Sequence, residues 1–414
     1  MSHSLTSYQT AVNPARIELL EAYGGPVDFV KADGSWVEDE NGRRYLDFLC
    51  SYGTATLGHR HSAVMAALQE ALTAQSPFTN PHNISRTAGV LAEKLCQLAG
   101  TNLSKVYFGN SGSEGVEAAL KFAMAHTGRS KFLSFDKAFH GFTLGALSLT
   151  GSEGLKRPFP GLALQSHQIP FGDLGQVEQY LRQGDIAGVV LEPVQGMAGA
   201  RAWESEKLLA LAALCRQYGT AIILDEVLTG IGRTGKWFAF QHTSGFEPDI
   251  VVVSKGLTGG AVPVCAALMT EDVYESVYRG IGRSEIHTST LEAHLLGAAA
   301  GLAVIEVIEK NNLLERVAVL SQKFVDNLNQ LKDTGAPITA VRASGLLVSF
   351  GVDDSFDRDK ELWGAPGLRR RLLSDGVVTN VAAQAITNIN LLPPFTLADA
   401  EMDLFFKRLR VILV

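Results

Sequence analysis

Positive charge is in short supply in this chain of 414 residues: 36 Lys and Arg stand against 43 Asp and Glu, for a formal net charge of −7. Binding to nucleic-acid phosphates needs clustered Lys and Arg, so that class of partner is excluded and a small-molecule ligand is expected. Cysteine is scarce as well. Cys50, Cys96, Cys215 and Cys265 lie far apart and form no CxxC pair, which excludes a disulfide framework and a zinc site, and they read as small buried apolar residues. No segment is continuously apolar over the roughly 20 residues that a membrane helix needs, and the first residues show no basic stretch followed by an apolar one. A cytoplasmic protein with no membrane partner is expected. Internal repeats and low-complexity linkers are also absent, so the lobes should pack closely around a cleft.

What is there is ample material for a core, with 46% hydrophobic and 19% charged residues, and a length that suggests two domains. Near the N-terminus, KADGSWVEDENGRRYLDF carries Asp-Gly and Asn-Gly turn signals between short alternating runs and predicts a small hairpin layer. From about residue 60 to 300 the pattern alternates. KVYFG, KFLSF, IAGVVLE, AIILD, DIVVVS and CAALM read as strands, with helices from Ser113 and through KLLALAALCRQYG. Apolar runs separated by helices predict an α/β fold with a mainly parallel sheet covered on both faces. HTSTLEAHLLGAAAGLAVIEVIEKNN reads as a long helix. Beyond it, SQKFVDNLNQLKD, a VRASGLLVSFG strand and a final ADAEMDLFFKRL helix predict a smaller α+β lobe.

Four features carry chemistry. In GNSGSEGVEAALKFA a strand ends in a small-residue turn that opens into a helix, where unpaired amides beside the Ser111 and Ser113 hydroxyls make a phosphate seat; an ordinary Ser cap followed by Glu114 would read the same. Asp225 ends the apolar strand AIILD, at the edge where ligands bind in open α/β sheets, and a buried carboxylate there calls for a cation such as a protonated pyridine nitrogen. Glu226 is the alternative acid, or both carboxylates could cap the next element. Lys255, at the end of the next strand, has no surface to reach and is a candidate amine for a Schiff base with an aldehyde cofactor, or else a structural Lys. Phe139 in AFHGFT could stack on a flat ring, and Glu192 in VVLEPVQG again sits where a strand stops. Together these specify pyridoxal 5'-phosphate (PLP).

The sequence resembles the class III aminotransferases, most closely the acetylornithine and ornithine group and the omega-transaminases, over nearly its full length. The stretches that carry the resemblance include YLDFLCSYGTATLGHRH, YFGNSGSEGVEAALKFA, AFHGFTLGALSLTG, LDEVLTGIGRTGKWFAF, EPDIVVVSKGLTGG, HTST and INLLPP. The resemblance implies PLP fold type I, with a seven-stranded, mainly parallel large domain over residues 47–295, a small C-terminal domain over 296–414, and an N-terminal segment, 1–46, joining the small one. It also implies a homodimer with its sites at the subunit interface. By position, Gly112 and Ser113 would hold the phosphate, Phe139 and Val227 would cover the two ring faces, and Asp225 would pair with the pyridine nitrogen. Glu192 would line the pocket, Lys255 would be the Schiff-base Lys, and Thr290 would reach the neighbouring subunit's phosphate. His140 reads as a support behind these groups.

The departures bear on substrate. Relatives that use glutamate carry an Arg where Phe142 stands, a second Arg at Asn390, and an acid at Met197; a Gln that touches the ring hydroxyl is Leu228 here. The expected activity is transfer of an amino group between an amine or amino acid and an aldehyde or ketone, away from dicarboxylate substrates. A racemase or aminomutase on the same scaffold, or an acetylornithine-type enzyme with displaced carboxylate-binding residues, is the alternative.

Overall fold

Val, Ile and Leu crowd the runs that read as strands, and those runs form the central layer of the molecule. The computed structural model describes residues 3–80, 83–100, 102–162, 164–358 and 360–413. Its N-terminal strands are β1 (Phe29–Asp33), β2 (Trp36–Asp39) and β3 (Arg44–Asp47). Then come β4 (Leu103–Gly109), β5 (Lys131–Phe135), β6 (Ser166–Ile169), β7 (Ile186–Leu191), the short β8 (Val194–Gln195) and β9 (Arg201–Ala202), β10 (Ala221–Asp225), β11 (Ile250–Val253) and β12 (Cys265–Thr270). The chain closes with β13 (Ile338–Ser344), β14 (Leu347–Val352), β15 (Val377–Val378), β16 (Asn380–Ala382) and β17 (Ala385–Leu391).

Seven strands form the main sheet, in the order β4-β12-β11-β10-β7-β5-β6. Only β12 runs against the others. Every residue of β7, β10 and β11 is buried, which is why these strands are apolar throughout rather than alternating. Successive side chains serve opposite faces. Ile250 and Val252 join the core containing Val116 and Leu120 of the helix Gly112–Thr127, whereas Val251 and Val253 join the core containing Val304 of the helix Leu295–Lys310. Close helix–sheet contact needs small residues: a Cβ at Gly115 would lie 2.7 Å from Val252 Cγ1.

The predicted hairpin layer is β1-β2-β3, completed by β15 pairing in parallel with β3, so residues some 330 positions apart in sequence share a sheet. A second four-stranded sheet, β13-β14-β17-β16, is antiparallel. Two sequence expectations need correction here. VRASGLLVSFG is not one strand but the hairpin β13–β14, which reverses at Gly345 with φ 60°. A Cβ there would sit 2.4 Å from the carbonyl oxygen of Arg233, so the turn is both left-handed and pressed against another loop. The Ala- and Leu-rich helix starts only at Leu295, where the His294 ring accepts from the amide of Leu296; the HTST segment before it is not helical. Among the described residues no helix is long and apolar enough to cross a membrane.

Candidate active site

Five of the parallel strands deliver a functional group just past their carboxyl ends, so groups up to about 145 residues apart converge on one edge of the sheet. They meet around a cavity of about 190 Å³. After β4, Ser111 caps the helix Gly112–Thr127, its Oγ accepting from the amide of Glu114 at 3.2 Å. The amides of Gly112 and Ser113 open that helix without intrahelical acceptors and carry its positive end. Gly112 has no room for a side chain, since a Cβ would fall 2.8 Å from Val227 Cγ1. Gly141, at φ 134°, is likewise closed down on Ser113, whose Oγ would be 2.1 Å from an added Cβ. The cradle is therefore shaped by glycines on both sides.

After β5 and at the end of β10, His140 and Asp225 form a buried pair. His140 Nδ1 lies 2.8 Å from Asp225 Oδ2, and Asp225 Oδ1 accepts from the amide of Val227 at 3.1 Å. Burial works against a charged imidazole, but the hydrogen bond and charge of Asp225, with Glu192 behind, outweigh it and raise the pKa of His140. The His140 amide is in turn held by Thr150 Oγ1, a partner that the sequence did not point to. Its Nε2 is buried without a partner.

Glu192, after β7, accepts from the amides of Phe139 at 3.0 Å and Gly196 at 3.4 Å, and so ties two loops of the cavity together. Burial lifts its carboxyl to about 7; His140 and Lys255 oppose that rise and Asp225 adds to it. Glu226 does not line this cavity. Its carboxylate accepts from Thr229 Oγ1 and from the amides of Ala239 and Phe240, which fully occupies it as a cap on the next turn.

Lys255 follows β11 in a strained conformation, φ 30°, that brings a long side chain into the cavity instead of along the strand. Its ammonium group has no hydrogen-bond partner among the described residues. Burial lowers its pKa, against the opposing charges of Asp225 and Glu192.

The structure brings Ser111, Gly112, Ser113, Phe139, His140 and Glu192 together with Met197, Asp225, Val227 and Lys255 around the one cavity. Leu228, Gly141 and Ser254 line it too. Three other sequence candidates lie outside it. Phe142 is 66% exposed and sits edge-on to Phe139, with ring centroids 5.2 Å apart. Asn390 is buried one layer back, its Nδ2 donating to the carbonyl of Gly196 while Oδ1 has no partner. Thr290 is exposed in the segment before Leu295. Of the four cysteines, all free, Cys96 is only half-buried, a correction to the reading of all four as buried.

This donor set fits PLP. The helix start offers amides to a phosphate, the paired Asp225 offers a negative charge to a ring N–H, and Lys255 offers an amine to an aldehyde, while the side-chain-free Gly112 leaves the space.

Comparison with known proteins agrees. Residues 21–413 match the model of the class-III aminotransferase family, and the chain belongs to that family of PLP-dependent enzymes, with fold type I. It is 36% identical over 373 residues to an acetylornithine aminotransferase of Archaeoglobus fulgidus, covering 90% of this chain and 92% of the relative. A putrescine aminotransferase of Pectobacterium atrosepticum is 34% identical over 426 aligned positions, covering 99% and 88%. Among solved structures, the ornithine aminotransferase of Toxoplasma gondii superposes with a TM-score of 0.88 at 25% identity, covering 99% of this chain and 94% of that one. An (S)-enantioselective omega-transaminase of Thermomicrobium roseum superposes with a TM-score of 0.85 at 27% identity, covering 97% and 94%. The activity is therefore transamination, between an amine or amino acid and a carbonyl acceptor.

Proposed function

We propose that this enzyme is an omega-transaminase-like homodimer whose reacting carbon bears no carboxylate. The observation that carries this reading is the absence of a guanidinium from the residues lining the Lys255 cavity, where Met197, Leu228, Val227 and Phe139 present apolar surface instead. Behind Leu228 lies more of the same, a cluster of Val194, Ala200, Leu347, Leu392 and Leu49. Arg233 is engaged elsewhere: it is completely buried, and its two terminal nitrogens donate to the carbonyls of Leu346, Pro393 and Gly53, while Nε has no partner.

When bound, PLP supplies an aldehyde that exchanges amino groups and a ring that withdraws electrons from the substrate carbon. The chain's own residues do the rest. Lys255 Nζ would hold the cofactor through its aldehyde, and burial, which lowers the pKa of this amine, favours its use as the group that takes and returns a proton at the substrate carbon. Asp225 would hold a proton on the cofactor's ring nitrogen, and His140 fixes that carboxylate. Gly112 and Ser113, with Ser111 capping the turn, would seat the phosphate, and Phe139 and Val227 would cover the ring faces; Glu192 holds the loop that carries Phe139. Thr290 would complete the partner subunit's phosphate site. Exposed Ile281, Ile286 and Leu291 in its segment support an interface there.

The test compares specificity constants for glutamate, alanine and a long-chain amine. Each missing Arg would have supplied a charge-assisted clamp worth about 1.5–3 kcal/mol, so glutamate should trail by about two to four powers of ten if the losses add. Phe142→Arg with Asn390→Arg should recover part of the deficit. A wild-type preference for glutamate would remove the substrate reading and leave the cofactor assignment intact.

A further inference from the structure

The spacing of the four cysteines excludes a zinc site built on cysteine pairs, but the fold gathers a different ligand set around one of them. Asp47 ends β3, Cys50 opens the turn that follows, and His59 lies just beyond that turn. A carboxylate oxygen, a thiol sulfur and an imidazole nitrogen from these three side chains lie within 4.8 Å of one another. Among the described residues no other group of three such side chains is placed so closely. Asp47 and Cys50 are buried and His59 is half-buried.

Each of the three is held from behind. Asp47 Oδ1 accepts from the amides of Leu49 at 2.8 Å and Cys50 at 2.9 Å, which leaves Oδ2 turned to His59 Nε2, 2.8 Å away. His59 is pinned through its backbone, which exchanges two hydrogen bonds with Gly34, at 3.0 and 2.8 Å. Gly58 admits no side chain beside that pairing, since a Cβ would lie 2.9 Å from the Gly34 backbone. Cys50 Sγ is folded back on Asp47, 3.2 Å from its carbonyl oxygen. The turn that places it is left-handed at three consecutive residues other than glycine, Cys50 at φ 45°, Ser51 at 52° and Tyr52 at 58°, a conformation that lasts only where the surroundings enforce it. Ligands oriented by amides and fixed backbone are how proteins build metal sites.

The ligand types select the ion. Imidazole, thiolate and carboxylate together suit zinc, whereas calcium and magnesium take oxygen ligands. Zinc binds such atoms at about 2.0–2.3 Å, which sets them roughly 3.3–3.8 Å apart, so side-chain shifts of about 1 Å bring this group to coordinating geometry. His59 also lines a cavity of about 250 Å³ with Ser51, Thr54, Arg60 and His61, which gives the ion a path and a water room as fourth ligand. Glu401, the other carboxylate whose charge acts on the thiol, is taken up by Ser35, Trp36 and the amide of Ala398.

We propose that Asp47, Cys50 and His59 bind one zinc ion per chain, as a clamp on the turn Cys50–Gly53. On binding, Cys50 Sγ gives up its proton to solvent and bonds the ion. The ion also replaces the proton between His59 Nε2 and Asp47 Oδ2, and that proton passes to His59 Nδ1, so two negative ligands balance the ion's charge. The clamp reaches the active site by packing alone: Gly53 closes on Leu228 of the Lys255 cavity, with a Cβ there 3.1 Å from Leu228 Cδ1. This site is independent of the substrate reading above.

The test starts from holoenzyme stripped with a chelator and dialysed. Elemental analysis after zinc is added back should find one ion per chain, bound with a Kd of about 1 μM or tighter. X-ray absorption at the zinc edge of the wild type should show one sulfur neighbour at about 2.3 Å, a reading that needs no variant. Cobalt(II), as the spectroscopic probe, should give a thiolate-to-metal charge-transfer band. Cys50→Ser should abolish that band, His59→Gln should weaken cobalt binding at least about 10-fold, and Cys96→Ser, at the half-buried cysteine, should leave both unchanged. Zinc should raise the Tm of stripped wild type and leave that of Cys50→Ser where it is. Zinc below stoichiometry, zinc without a sulfur neighbour, or a cobalt band that survives Cys50→Ser or is lost in Cys96→Ser would overturn the site.

Discussion

At the scale of single residues, the site sets the burial of one amine against carboxylates that favour its charged form. Burial is the larger effect at Lys255, so its pKa falls below the 10.5 of an ordinary lysine. The sign sets a measurable pH dependence. The neutral amine, which attacks the cofactor's aldehyde, becomes populated from a lower pH than usual, so the rate of PLP capture by cofactor-free enzyme should rise with pH and level off below 10.5. Borohydride should then fix the pyridoxyl group on Lys255, and not at all in Lys255→Ala. A rate still climbing through pH 10.5, or labelling at another lysine, would refute the assignment. The left-handed φ of Lys255 adds to this, because strain at one residue turns its side chain off the strand axis and into the cavity.

At the scale of elements, the cavity is a meeting of loops, and Arg233 is what holds the outer ones. Its guanidinium joins the start of β14, the segment after β17 and the turn at Gly53, while its ring contact is with Phe395 at 4.8 Å. Burial pushes its pKa down to about 10, still charged at neutral pH. Arg233→Met would orphan three carbonyls, at about 1 kcal/mol or more each, so the free energy of unfolding should fall by at least about 3 kcal/mol. Lysine, a point donor on a flexible stem, should rescue little of this. Denaturant titration of the two variants checks the expectation, and a loss below about 1 kcal/mol for Met would contradict it. The sequence showed this arginine only as part of GIGRTG; nothing in the local pattern reveals that its partners lie more than a hundred residues away.

At the scale of the whole molecule, the single chain leaves its proposed phosphate partner exposed. Thr290 does not reach the cavity of its own chain, and its segment displays Ile281 at 95% exposure and Leu291 at 54%. A twofold interface would bury these residues and bring each Thr290 to the other subunit's site. Mixing Lys255→Ala subunits with Thr290→Ala subunits should therefore give heterodimers in which one site carries both changes and the other carries neither, with activity above that of either parent. An enzyme that stays fully active as a monomer on dilution would sink this expectation.

What the sequence determined by itself is the sheet and the groups at its edge. The strands β7, β10 and β11 are buried on both faces, so their apolar runs are unmistakable, and Asp225 ends β10 while Glu192 and Lys255 come within two residues of the ends of β7 and β11. Such chemistry is legible because a strand end and its next residue are neighbours in the chain. The tertiary structure alone decided the rest. It made a hairpin of VRASGLLVSFG at Gly345, assigned Glu226 to capping and His140 to Asp225, and moved Phe142 and Asn390 off the cavity wall. Each of these depends on which distant backbone a side chain meets, and pairing across space leaves no period or motif in the chain for a local pattern to record.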